Sequence, residues 1–174
     1  MSEGHNDHGH GEQGFISKYI FSYDHKMIGK QYLTLVMFMA LVGGALAMLV
    51  RLQLGYPGQH AQFWEALFPA GMASGVMTPE FYVMLFTMHG TIMVFFVLSL
   101  GPVSGFGNFL IPLQIGARDM AFPFLNMMSF WTALPGAIII LISFLVEGGA
   151  AASGWTAYPP LSAIRSAIPG SAMG

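Results

Sequence analysis

His89 interrupts an otherwise uncharged apolar run from Phe81 to Leu100. It falls eight residues into that run, roughly 12 Å along a helix axis at helical rise. A polar side chain at that depth in hydrocarbon is costly unless it is satisfied, and it marks a site by default. At helical spacing it shares a face with Tyr82, Leu85, Phe86, Ile92, Met93 and Phe96. Such an apolar, aromatic wall suits a flat macrocycle such as haem, whose iron takes an imidazole nitrogen axially. A histidine bonded to a neighbouring helix, or one that binds an ion or a substrate, meets the same spacing. Spacing alone leaves all three readings open.

Other polar residues gather at two levels. Arg51 follows the first apolar run and stands on the same side as the start of the run that holds His89. It is placed to reach a polar group of a cofactor near His89, or to snorkel to the interface. Asn108, Asp119, Asn126 and Ser129 lie on the opposite side. A carboxylate with amide and hydroxyl neighbours can order water and begin a proton path; Asn126 or Asp119 can equally cap a helix start. Glu147 ends the third apolar run, with Trp155 and Tyr158 just beyond. Both aromatics fit an interfacial belt, and both can donate hydrogen bonds to a carboxylate. His5, His8 and His10 form a short tract that fits weak metal binding or a solvated tail. His25 and His60 show no ligand spacing, and no phosphate loop, nucleophile triad or zinc cluster is present.

The elements that must position these residues are membrane helices. Hydrophobic residues make up 55% of the 174-residue chain and charged residues 8%, against about 25% charged in soluble proteins. Six Lys and Arg in total cannot make a nucleic-acid footprint. With no cysteine, any metal must be held by His, Met or oxygen ligands. Residues 1–14 read as a disordered, hydrophilic tail without the apolar core of a signal peptide. Residues 15–174 read as one all-α membrane domain with spans at about 32–50, 81–100 and 128–147. Phe15–Gln31 reads as an interfacial lead-in, and Phe63–Phe68 as a short surface helix. Gly101–Pro123, broken by Pro102, Gly105, Gly107, Pro112 and Gly116, reads as a loop with Arg118 and Asp119 at its tip. Pro135 can kink the third span. Lys18, Lys26, Lys30 and Arg118 on one side against Arg51 and Arg165 on the other place the N-terminus in the cytoplasm. Three helices alone would expose polar groups to lipid, so partner helices are expected.

Several stretches resemble subunit I of the haem–copper oxidases, the cytochrome c oxidase group. They are DHKMIGKQY at Asp24–Tyr32, Arg51 with LGYPG at Leu54–Gly58, and TMHGTIMVFF at Thr87–Phe96. They continue with GFGNFLIPLQIGARDMAFPFLN at Gly105–Asn126, SFW at Ser129–Trp131, VEGGA at Val146–Ala150 and GWTAYPPL at Gly154–Leu161. The resemblance implies that His89 is one of two axial histidines of a low-spin haem, haem a, and that Arg51 contacts its formyl group. It implies that Asp119 is the cytoplasmic mouth of a proton channel lined by Asn108 and Asn126, with Tyr32 and Ser129 beside it. Trp155 is implied near the haem propionates, with Tyr82 and Tyr158 as further cofactor contacts. The family reduces oxygen to water and couples this to proton pumping.

The resemblance further implies a helical bundle of about twelve spans, each of about 20 apolar residues, of which this chain holds three. The second haem histidine, the high-spin haem ligand and the copper ligands would lie outside this chain, in a longer or split subunit. Implied partners are the remaining helices of subunit I, subunits II and III, membrane lipid and an electron donor such as cytochrome c. A larger respiratory supercomplex and a bacterial inner membrane are also implied. Phe124 and Met127 stand where the family has arginine and a second asparagine, and Gln53 where many members have a glutamate that binds calcium or sodium. Three other readings remain: a quinol oxidase, a haem b electron-relay anchor, and a transporter or channel subunit in which His89 binds substrate or protons.

Overall fold

A computed structural model describes residues 19–57, 66, 71–73, 76–146 and 149–163. The tail expected over residues 1–14, all but Ala66 of the helix expected over Phe63–Phe68, and His60, Glu147 and Arg165 lie outside the described residues.

The architecture is helical, with three helices long and apolar enough to cross a membrane. Helix α1 runs from His25 to Gly55. Its start is fixed by Asp24, whose Oδ1 accepts the Lys26 N–H at 3.0 Å, so that one orphan donor of the first turn is satisfied. With 31 residues it is about 46 Å long, against about 30 Å of hydrocarbon. Lys26 and Lys30 therefore ride on the same helix as the apolar stretch rather than on a separate lead-in, and Arg51 emerges at the other end. The connection to the second span includes a small antiparallel ribbon, β1 (Met72–Ala73) against β2 (Val76–Met77).

Helix α2, Pro79–Thr91, opens with Thr78, whose Oγ1 accepts the Phe81 N–H at 3.3 Å. Pro79 stands in the first turn, where its missing N–H removes no bond. The loop expected from Gly101 to Pro123 is not formed as such. Instead, α2 passes into a π-helix over Ile92–Phe106, and this into α3, Gly107–Gln114. The physical reason lies in hydrogen bonding. Backbone in hydrocarbon must bond to itself, and the wider winding, with N–H to the fifth carbonyl back, carries Pro102, Gly105 and Gly107 without opening the chain. The Gly107 N–H bonds to the Pro102 carbonyl in this way. Only residues 115–122 remain as a connection. It turns at Gly116, whose φ of 70° is a left-handed conformation that glycine adopts freely, and it carries Arg118 and Asp119.

The third span starts earlier than the sequence suggests. Helix α4 covers Pro123–Ile142 and continues as a 3-10 turn, Ser143–Leu145. It runs through Pro135. The capping role considered for Asn126 or Asp119 is not adopted. Phe122 precedes the helix without a side-chain cap, Pro123 occupies the first turn, and Asn126 lies inside the helix. Asp119 instead accepts the N–H of its neighbour Met120 at 2.8 Å.

Helix α1 packs against each of the other helical segments. Ile28, Met39, Leu85, Met88 and Ile92 are fully enclosed between the helices. The outer faces carry bare Leu41, Val103, Ile115, Ile139 and Leu145, an apolar surface that only lipid or further helices can cover.

Candidate functional site

His89 faces α1 at a point of close approach. A Cβ on Gly43 would stand 2.8 Å from Met93 Sδ and 3.2 Å from Ile92 Cγ2, so only glycine lets the α1 backbone come this near. Its carbonyl oxygen lies 2.8 Å from His89 Nδ1. A carbonyl only accepts, so Nδ1 carries the proton and donates. In the tautomer that bears a single proton, this leaves Nε2 with a free lone pair, and Nε2 makes no hydrogen bond among the described residues. This is how metal-ligating histidines are commonly oriented, with the other ring nitrogen bonded to a backbone carbonyl. The bond to a neighbouring helix and the capacity to ligate thus belong to different nitrogens of one ring. No group of three or more His, Cys, Asp or Glu that could hold an ion occurs among the described residues. A lone imidazole suits a metal that brings its own equatorial ligands, as haem iron does. Gly43→Val would force the helices apart. It is expected to destabilise the protein by roughly 1–3 kcal/mol and to lower the melting temperature of the detergent-solubilised complex in a thermal unfolding scan.

The wall read around His89 divides. Leu85 and Ile92 are fully buried, Tyr82 is half-buried, and Phe86 is 54% exposed on the outside. Beyond Thr91 the winding changes, so α-helical spacing no longer places Phe96. Trp155 comes to the residue beside His89: a Cβ on Gly90 would stand 3.2 Å from its Cδ1, and its ring meets Phe95 edge-on at 6.4 Å. The segment that brings it is fastened along α2. The Ala150 N–H donates to Met84 Sδ at 3.2 Å, and the Gly154 N–H to Thr87 Oγ1 at 3.0 Å. Met84, Thr87 and Gly90 were not singled out from sequence; their spacing of three beside a candidate ligand was the available signal. Arg51 is exposed near the end of α1, eight residues beyond Gly43 and so roughly 12 Å further along the axis. Tyr158 is exposed.

At the other end, the structure links most of the remaining polar residues. Tyr32, buried on α1, meets Ser129 of α4 with its phenol oxygen 2.9 Å from Oγ. Ser129 spends its own proton on the Asn126 carbonyl at 2.6 Å, so Tyr32 donates to Ser129. Phe130 packs edge-on against the Tyr32 ring at 5.3 Å. Ser104 of the π-helix lies beside the same phenol, and its carbonyl accepts from Asn108 Nδ2 at 2.7 Å. Three buried polar atoms are left over: Asn108 Oδ1, an acceptor, and two donors, Asn126 Nδ2 and Trp131 Nε1. Each would cost about 1–3 kcal/mol if left dry, a cost that buried water removes. Asp119 stands outside this cluster, exposed, in the connection between α3 and α4. His25, set aside in the sequence, is 1% exposed, and its Nδ1 lies 2.9 Å from the Asn108 carbonyl.

A model of the family described as Cytochrome C and Quinol oxidase polypeptide I matches residues 27–174. The chain is similar to the alternative cytochrome c oxidase subunit 1 of Bradyrhizobium diazoefficiens, with 42% identity over 88% of this chain and 24% of that protein. It is similar to the cytochrome c oxidase subunit 1 of Thermostichus vulcanus, with 42% identity over 84% of this chain and 23% of that protein. The corresponding protein of Synechocystis sp. is 39% identical over 88% of this chain and 24% of its own length. The chain thus spans about a quarter of the length of the curated relatives it matches.

Proposed function

Because the chain belongs to the cytochrome c and quinol oxidase polypeptide I family, we propose that it is the N-terminal part of the catalytic subunit of a respiratory terminal oxidase and that His89 is an axial ligand of its low-spin haem. The observation that carries this reading is the 2.8 Å bond between His89 Nδ1 and the Gly43 carbonyl, which fixes the tautomer and leaves Nε2 for iron. Haem a, when bound, supplies a one-electron carrier whose potential depends on axial ligand, hydrogen bonding and nearby charge. Arg51 contributes positive charge on that side. Trp155, with Tyr82 and Tyr158, contributes donors for the carboxylates of the macrocycle.

Protons are taken up from the cytoplasmic side at Asp119, an exposed carboxylate in the connection between the second and third spans. Asn108 and Asn126 offer their unspent side-chain atoms to water, and Tyr32 and Ser129 flank them. The reaction is the reduction of oxygen to water coupled to proton pumping. Its haem–copper centre is liganded outside this chain, by the remaining helices of subunit I. Subunits II and III complete the assembly. The names of the relatives support cytochrome c as electron donor. The family description also covers quinol oxidases, which keeps quinol as the second reading. The lysines flanking α1 support a cytoplasmic N-terminus, and the bacterial relatives support a bacterial inner membrane.

A reduced-minus-oxidised optical spectrum with haem extraction, on the detergent-purified complex, tests this. The expected result is haem a with a carbon monoxide-sensitive component. Haem b alone would redirect the reading to a relay or a haem b oxidase, and absence of haem would overturn it.

A further inference from the structure

In an α-helix the carbonyl of residue 108 takes the N–H of residue 112. Residue 112 is Pro112, inside α3, and proline has no N–H to give. The Asn108 carbonyl is therefore deprived of its donor at a buried position, where an unsatisfied acceptor is costly. A replacement comes from another helix. His25, the first residue of α1, is 1% exposed and places Nδ1 2.9 Å from the Asn108 oxygen. As the oxygen only accepts, Nδ1 carries the proton. The reach is set by a close crossing one turn further along α1. A Cβ on Gly29 would stand 3.2 Å from the Gly105 carbonyl and from the Phe109 backbone nitrogen, and a Cβ on Gly105 would stand 2.8 Å from Leu33 Cδ2. Glycines at this crossing bring α1 close enough for His25 to reach the Asn108 carbonyl.

We infer that His25 is a positioning residue, whose ring N–H replaces the hydrogen bond that Pro112 removes from Asn108 and so holds the Asn108 side chain in its place on the proton path. The inference rests on the proton-channel reading above. Asn108 is doubly anchored: Nδ2 is bound to the Ser104 carbonyl and the backbone oxygen to His25. Its Oδ1 is left unspent, in a direction that both bonds determine. Loss of the His25 bond frees the α3 backbone at residue 108 and lets Oδ1 swing from that direction.

The test uses the complete reconstituted oxidase, with haem spectra as the check on assembly and the rate of proton uptake as the readout. His25→Ala is expected to slow uptake on the order of tenfold, the worth of a hydrogen bond at a positioning site. His25→Asn, which offers Nδ2 where the ring offered Nδ1, is expected to recover most of the rate. The second variant, His25→Ala with Pro112→Ala, supplies a backbone N–H to the Asn108 carbonyl from within the helix and is expected to recover both assembly and rate. Unaltered uptake in His25→Ala beside slowed uptake in Asn108→Val overturns the positioning role alone. Unaltered uptake in Asn108→Val overturns the channel reading and the inference with it. Failure of the double variant to improve on His25→Ala, in assembly or in rate, overturns the inference.

Discussion

Replacing His89 by alanine is expected to remove the low-spin haem from the optical spectrum of the complete oxidase while the rest of the subunit still assembles. The ring makes two separable contributions. Its Nδ1–H fills the Gly43 carbonyl at 2.8 Å, and losing that bond costs about 1–3 kcal/mol, a tolerable fraction of a large membrane assembly. On the proposed reading its Nε2 is the ligand to iron, and no other described side chain of α2 offers an imidazole. His89→Asn separates the two, because an amide at this position still donates to Gly43 but is a poor axial ligand. Both variants are expected to lose the low-spin band, with His89→Asn retaining the melting temperature better. A low-spin band that survives in either variant sinks the ligand assignment.

Asp119→Asn is expected to slow proton uptake by about 100-fold, the scale on which a positioned acid–base group acts, and to leave the haem spectra unchanged. The substitution is close to isosteric. Asn can still accept the Met120 N–H that Asp119 now accepts at 2.8 Å, so the turn between α3 and α4 keeps its shape while the exchangeable proton is lost. Time-resolved proton uptake from the cytoplasmic side is the measurement. Normal uptake in this variant would place the channel mouth elsewhere.

The apolar runs made the three spans legible, because hydrocarbon admits only helices with few charges. Their ends were less so. Pro102, Gly105 and Gly107 are strong breakers in water, yet in the structure they are carried within continuous helical winding. The chain there has no water to turn to. Pro123 was read as the close of a loop and is the opening of a helix, since proline suits the first turn as well as it suits a turn in a loop. The pairing of Tyr32 with Ser129, 97 positions apart, and the capture of the Asn108 carbonyl by His25 depend on helix crossings that no local pattern encodes. The spacing His25–Gly29–Tyr32, one face of α1, and a proline four residues after Asn108 were the traces they left in the sequence.

The direction of the bonds around Tyr32 has its own consequence. Tyr32 gives its proton to Ser129, and Ser129 gives its proton to a peptide carbonyl, which has none to pass on. Proton hopping along this row therefore runs into a dead end. The row works as a clasp between α1 and α4. On the proposed proton path, the groups free to hold water are instead the unspent atoms of Asn108 and Asn126.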